Sequence, residues 1–355
     1  MRYDSAPIIR CGVFFLGSND AGYNAKNAIL SGVLFGGYLK ASAVPVIKPE
    51  ENLPVLAEPT DESKEKVNEY ENPTVETFMK LYEYDLSLVP DGLYPIIPYD
   101  LSREADGELR LFNDTNLIID LNELRDAKAT VNPISYGSEP TVLIIHTHGT
   151  EAYSEDGILG YSDTYNIPRS YDVTKNVVSI GKLMVKILEE NGVNAIHCDV
   201  MHDAESYLGA YDRSAETINK YLKKYPSIKY VFDVHRDSIA TDNGKAKPVS
   251  VVDGLTTAQA MLVVGTDTAG APHPNWIDNL TVASVFQKAL VARYKTLMRP
   301  LSLRASSFNA EHTTGSVLIE IGTCCNTISE AKNCAALLGQ TISKIILSDG
   351  IPTLS

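Results

Sequence analysis

From Pro140 onward, short continuous apolar runs alternate with longer segments whose apolar residues recur every three or four positions, and this alternation constrains the fold more than any other feature. Residues 141–145 (TVLII) form an unbroken apolar run of strand length, which predicts a strand buried on both faces. In residues 172–192, Val173, Val177, Ile180, Met184 and Ile187 step by four, three, four and three. That is the period of a helix with one buried stripe. Asp172 stands where an N-cap belongs and Gly192 where a helix stops. The pattern continues with strands expected over 193–196, 228–234, 260–264 and 317–321, and helices over 213–225, 278–297 and 329–346. Strands alternating with helices predict an α/β sandwich with a mainly parallel central sheet flanked by helices.

The first 140 residues read differently. Residues 28–47 are apolar but interrupted by Lys40, and the run before it is shorter than the ~20 residues a bilayer span needs. With Lys26 before it and Ala41-Ser42-Ala43 after it, the segment fits an export signal or membrane anchor over 1–47. Residues 50–71 carry eight acidic and two basic residues, and with Pro49, Pro54 and Pro59 the stretch 48–71 reads as a solvated acidic linker. Residues 72–140 are expected to form a small extension packed on the main domain, with a hairpin over 109–121 around Asn113-Asp114. The main domain then covers 141–350. A net charge of −14 argues against nucleic acid, whose phosphates demand clustered Lys and Arg. Five cysteines, two of them adjacent at Cys324-Cys325, make no spaced disulfide framework.

In open sheets of this kind ligands sit beyond the carboxyl ends of the strands. The first strand is followed by His146-Thr147-His148-Gly149-Thr150-Glu151, the third ends in Asp233-Val234-His235-Arg236-Asp237, and the last contains Glu320. Three of the seven histidines therefore stand at strand ends beside carboxylates. A catalytic zinc takes three such ligands and leaves one position open. The expected ligands are His148, Glu151 and His235, with Glu320 as the acid/base. His146 is the alternative ligand, or a residue beneath the metal. A single histidine here is more often a hydrogen-bonded core residue; the joint placement favours the site. Arg236 is expected either to polarise a scissile carbonyl or bind a substrate carboxylate, or to pair with Asp237. Arg213 reads as structural, Asn309 and Glu311 as possible cleft residues, and Cys324 and Cys325 as packing. No G-x-S-x-G elbow, phosphate-binding loop or H-E-x-x-H helix occurs, and Gly265 to Gly270 (GTDTAG) reads as an ordinary loop.

Four segments in order, HTHGTEAY (146–153), YDVTKNVVSIGKLMVKILEENG (171–192), YVFDVHRDS (230–238) and LIEIGTCCNT (318–327), resemble the stage II sporulation protein P family. The resemblance implies a fold like the zinc-dependent N-acetylmuramoyl-L-alanine amidases and, more distantly, the zinc carboxypeptidases. It implies a peptidoglycan hydrolase of engulfment in endospore formers, anchored by its N-terminus and facing the wall between mother cell and forespore. It also implies a partner, the SpoIID lytic transglycosylase, and an additional endopeptidase activity on peptide cross-links. The chain departs from the peptidoglycan amidases at the first ligand, where Thr147-His148-Gly149-Thr150 replaces Gly-His-Gly-Gly. Those enzymes also take an acidic ligand from just before the next helix, where this chain offers Asp172 as the alternative to Glu151. Rival readings are a metallocarboxypeptidase or cross-link endopeptidase with the same metal set, and a non-catalytic wall-binding module.

Overall fold

The central sheet has seven strands. In spatial order they are Leu111–Asn113 (β2), Leu301–Arg304 (β11), Ala260–Gly265 (β10), Gly315–Thr323 (β12), Tyr230–Asp237 (β6), Val142–Ile145 (β3) and Ala195–His197 (β5). All neighbours run parallel except β10 and β12. The computed structural model describes residues 85–102, 109–128, 139–163, 167–241 and 243–348. The export or anchor segment over 1–47 and the linker over 48–71 lie outside the described residues, which all fall in one compact unit. Among the described residues, no helix is long and apolar enough to cross a membrane.

Helices cover both faces of the sheet, which explains why its strands read as unbroken apolar runs. Val177–Glu190 (α2), Trp276–Arg293 (α4) and Ile328–Leu347 (α5) share one core with Val142, Ile144, Phe232 and Val234. Ala210–Lys224 (α3) lies on the other face, where Ile218 meets Leu143, Ile145 and Val231. Successive residues of a strand point to opposite faces. Asp233 and His235 therefore leave β6 on the α3 side with Val231.

A second sheet joins Gly160–Tyr161 (β4), Tyr94–Tyr99 (β1), Gly244–Val252 (β8) and Ala240–Thr241 (β7), with Leu255–Ala258 (β9) antiparallel to β8. The expected mainly parallel α/β architecture is present, with three local corrections. The hairpin expected over 109–121 does not form. β2 instead joins the edge of the central sheet in parallel with β11, and Asn113 Oδ1 accepts from Thr115 N at 3.0 Å to turn the chain. A short helix, Leu121–Asp126 (α1), follows and is tied to α4 by Lys288 Nζ, which donates to Arg125 O at 2.6 Å. The described parts of the 72–140 extension thus belong to both sheets.

Helix α2 begins at Val177, not after Asp172. Asn176 Oδ1 caps it by accepting from Val178 N at 3.0 Å, while Asp172 Oδ1 accepts from Thr174 N at 2.9 Å in a separate turn and Val173 is exposed. The β8–β9 hairpin was not expected. Its two-residue loop, Asp253-Gly254, has both φ values positive at 51° and 78°, as a primed turn requires.

Candidate metal centre

Strands β3 and β6 are neighbours in register, Ile145 beside Asp233, so their carboxyl ends bring residues 146–151 and His235 to the same place. A turn closed by Glu151 N donating to His148 O at 3.0 Å folds the H-x-x-E segment back on itself. Among the described residues, His148, Glu151 and His235 form the one cluster of three metal-binding side chains, with one donor atom of each within 4.8 Å of the others. His148 Nδ1 lies 3.7 Å from Glu151 Oε1, and His235 Nδ1 lies 3.3 Å from Glu151 Oε2. Donors bound at about 2.0–2.1 Å to a tetrahedral ion stand roughly 3.3–3.4 Å apart, so these donors, within 4.8 Å of one another, would draw together to hold zinc. The donor set of two imidazoles and a carboxylate fits as well.

The surroundings orient these donors. His235 Nε2 lies 2.9 Å from Asp233 Oδ1, leaving Nδ1 to face Glu151. Asp233 is itself fixed by Thr147, whose N–H donates to Oδ1 at 2.8 Å and whose hydroxyl donates to Oδ2 at 2.6 Å. A carboxylate behind an imidazole is the usual support of a metal-ligating histidine. Burial opposes charge on both groups. Even so, Asp233 and Glu151 raise His235 well above the ordinary histidine value, and Arg236 and His235 hold Glu151 well below the carboxylate range. Burial lowers His148 to about 4, leaving it a neutral donor at neutral pH. The pocket is thus built around positive charge enclosed by carboxylates.

Glu320 is in register with His235 on the adjacent strand β12, so both side chains leave the sheet on the same face. It is 2% exposed, and its Oε2 has no hydrogen-bond partner. Burial, then the nearby Asp237 carboxylate, pushes its pKa up to about 8. Arg236 faces the acidic ligand. Its Nη1 is 3.5 Å from Glu151 Oε1, Nε donates to Ala152 O at 3.0 Å and Nη2 to Pro168 O at 2.8 Å. These contacts hold the Arg236 guanidinium beside Glu151. The Arg236–Asp237 pair is not formed; Asp237 pairs with Arg299 at 2.8 Å.

His146 lies on the other face of the sheet. Its Nδ1 donates to Val234 O at 2.9 Å, and Nε2 is 3.0 Å from His197 Nε2, against Gly181 of α2. It is therefore a core residue beneath the cluster and not a member of it. Asp172, the alternative to Glu151, is held in its own turn away from the cluster. Arg213 donates through Nε to His202 O at 2.6 Å and clamps the 202–208 loop. Asn309 Nδ2 donates to Tyr211 O at 2.7 Å, whereas Glu311 sits beside His312. Cys324 and Cys325 are buried with Ile96 and Tyr161.

Several residues around the cluster were not singled out in the sequence. The Tyr207 ring stacks on His148 at 4.4 Å, and Arg169 lies 4.9 Å from the centre of the Tyr207 ring while pairing with Asp203 at 2.5 Å. Asp203 also accepts from Thr150 N at 3.0 Å. The Tyr211 ring meets His148 edge-on at 5.4 Å, and its buried hydroxyl has no partner. Burial, then the neighbouring Asp233 carboxylate, keeps that hydroxyl un-ionised. Only Asp233 carried a readable signal, because residues i and i+2 of a strand share a face. A groove of about 710 Å³ is lined by Ala152, Tyr153, Ser154, Tyr161, Arg169 and Lys175 among others, and by none of His148, Glu151, His235 and Glu320.

A model of the stage II sporulation protein P family matches residues 52–343. The curated stage II sporulation protein P of Bacillus subtilis (strain 168) is 24% identical over 220 residues, which cover 59% of this chain and 52% of the relative. The chain thus spans about half the length of the curated relative it matches. Among solved structures, the N-acetylmuramoyl-L-alanine amidase AmiC2 of Nostoc punctiforme is similar at 16% identity and a TM-score of 0.33, over 60% of this chain and 97% of that one. The CwlD amidase from Clostridioides difficile, solved in complex with the GerS lipoprotein, is similar at 13% identity and a TM-score of 0.35, over 59% and 98%.

Proposed function

The chain belongs to the stage II sporulation protein P family, and from that premise we propose that it is a zinc-dependent peptidoglycan hydrolase of sporulation. Its reaction is hydrolysis of the amide between N-acetylmuramic acid and L-alanine. One observation carries the reading: His148, Glu151 and His235 converge from two adjacent strand ends with Glu320 in register beside them. His148, Glu151 and His235 would hold a zinc ion, which would supply Lewis-acid polarisation of the carbonyl and a water of pKa lowered toward ~7.

The protein's own groups do the rest. Asp233 holds His235 with Nδ1 toward the pocket, and Arg236 holds Glu151. Glu320 Oε2 is the open acceptor that takes the proton of the attacking water and delivers it to the departing amide nitrogen. Its pKa, pushed up to about 8, suits delivery, and a cation held by His148, Glu151 and His235 would lower it toward the range suited to uptake. Such an enzyme, exported and working at the wall, acts alongside the SpoIID transglycosylase that opens the glycan.

The test is mass spectrometry of purified peptidoglycan after incubation with the full chain and zinc, with Glu320→Gln as control. Stem peptides bearing a free amino-terminal alanine, absent with the variant, are expected. Cleaved cross-links alone would replace the amidase reading with that of an endopeptidase. No products, even from glycan already cut by SpoIID, would leave a wall-binding module.

A further inference from the structure

We infer that the Tyr211 hydroxyl is a catalytic hydrogen-bond donor to the carbonyl oxygen of the scissile amide, an inference that rests on the hydrolase reading above. Among the described residues, three polar side-chain atoms of this pocket are buried without a hydrogen-bond partner: Glu320 Oε2, an acceptor, the Tyr211 hydroxyl, a donor, and His235 Nε2, which has the Asp233 carboxylate 2.9 Å away as its ion-pair partner, so that only the first two face no charged group of their own. Buried polar atoms in native proteins are nearly always paired, so each orphan calls for an explanation. Amide hydrolysis needs one of each. When water adds to the carbonyl carbon its proton must go to an acceptor, and the carbonyl oxygen gains charge that a donor stabilises. Glu320 fills the first role in the reading above; Tyr211 is placed for the second.

The surroundings fix the ring that carries that donor. Tyr211 opens α3 on the face of the sheet that carries His235 and Glu320. Its ring packs with Met261, Val263, Phe308 and Leu318 and stands edge-on to His148 at 5.4 Å and 82°. Its carbonyl is held twice, by Asn309 Nδ2 at 2.7 Å and by Ser214 Oγ at 3.0 Å. A phenylalanine would satisfy every one of these contacts; the hydroxyl contributes nothing to the packing. No proton leaves Tyr211 in the cycle. Water adds to the carbonyl carbon, its proton passes to Glu320, the C–N bond breaks, and that proton goes to the leaving nitrogen. Tyr211 strengthens one hydrogen bond as the oxyanion forms and relaxes it as the carbonyl returns.

The experiment compares the full-length chain and its Tyr211→Phe variant, both loaded with zinc, on a soluble muropeptide containing the N-acetylmuramoyl-L-alanine bond. The expected result is a kcat lower by about 10²-fold, in line with loss of one oxyanion donor. KM, zinc content and the melting temperature of the loaded protein should stay unchanged. A kcat within about threefold of the parent would overturn the inference. So would a fall in kcat that tracks lost zinc or lost stability, since Tyr211 would then be structural. A zinc-loaded parent that releases no product removes the hydrolase reading itself, whereas an active parent matched by the variant removes this inference alone.

Discussion

Replacing Asp233 by asparagine removes the charge behind His235 while preserving the shape of the support. Asp233 accepts two hydrogen bonds, from Thr147 N at 2.8 Å and Thr147 Oγ1 at 2.6 Å, and forms an ion pair with His235 Nε2, which lies 2.9 Å away. The asparagine oxygen, set where Oδ1 now stands, still serves Thr147 N and His235. Its amide faces Thr147 Oγ1, which can turn to donate to Ser214 Oγ at 2.8 Å. What changes is the strength of the charged contact to His235. A hydrogen bond to a charged group is worth about 1.5–3 kcal/mol and one to a neutral group about 0.5–1.5 kcal/mol. The difference of about 1–1.5 kcal/mol corresponds to zinc affinity roughly 5–13-fold weaker, at the lower end of what outer-layer substitutions cause. Asp233→Ala removes all three contacts and should lower both zinc affinity and fold stability.

The assay is competition for zinc against a chromophoric chelator at two pH values. Asp233 and Glu151 hold His235 protonated in the metal-free protein, so zinc has to displace that proton. The variant has less of this competition. The gap between the two proteins should therefore widen as pH rises and the parent no longer has a proton to shed. Equal affinities at the higher pH, with both proteins folded, would refute the argument that Asp233 acts through the basicity of His235.

Arg236→Met leaves Glu151 buried beside a neutral side chain and two carbonyls without donors; breaking such a pair costs about 3–5 kcal/mol, or roughly 6–20 °C of melting temperature, readable by calorimetry. Gly181→Ala drives a methyl into the facing rings of His146 and His197, and the overpacking should cost about 1–3 kcal/mol in urea unfolding. Burial holds His146 at about 3 and His197 at about 4, against ~6.5 in the unfolded chain, so unfolding takes up protons below pH 6.5. Stability should accordingly be retained above pH 6.5 and fall as pH drops toward 4–5, by up to ~2.7 kcal/mol per pH unit from this pair. His146→Gln should reduce that slope, and an unchanged slope would show that other groups set the acid limit.

The main architecture was legible because both sheet faces are covered, which gives strands and helices distinct apolar patterns. The errors arose where side chains compete locally for the backbone. Asp172 and Asn176 both offer N-cap chemistry, and Asn176 prevails because Val177, which follows it, is buried whereas Val173, after Asp172, is exposed. Asn113-Asp114 suggested a hairpin, but β2 finds its partner 190 residues later in β11, a pairing that no local signal encodes. The Asp253-Gly254 turn carried a readable signal, with β-branched residues before it. The His148, Glu151 and His235 cluster was visible from strand ends alone. The places of Arg236, Tyr207 and Tyr211 beside it were not, because they depend on how loops and α3 fold over those ends.

The place of β12 in the sheet also has a consequence in time. It lies between β10 and β6, both of which leave the ribosome before it, so these two strands wait with an open slot until residue 323 has been added. Glu320 arrives with the strand that fills the slot. A nascent or truncated chain ending before it holds His148, Glu151 and His235 but not Glu320. If the chain cuts the wall, that order of assembly keeps the cutting activity off until the domain is nearly complete.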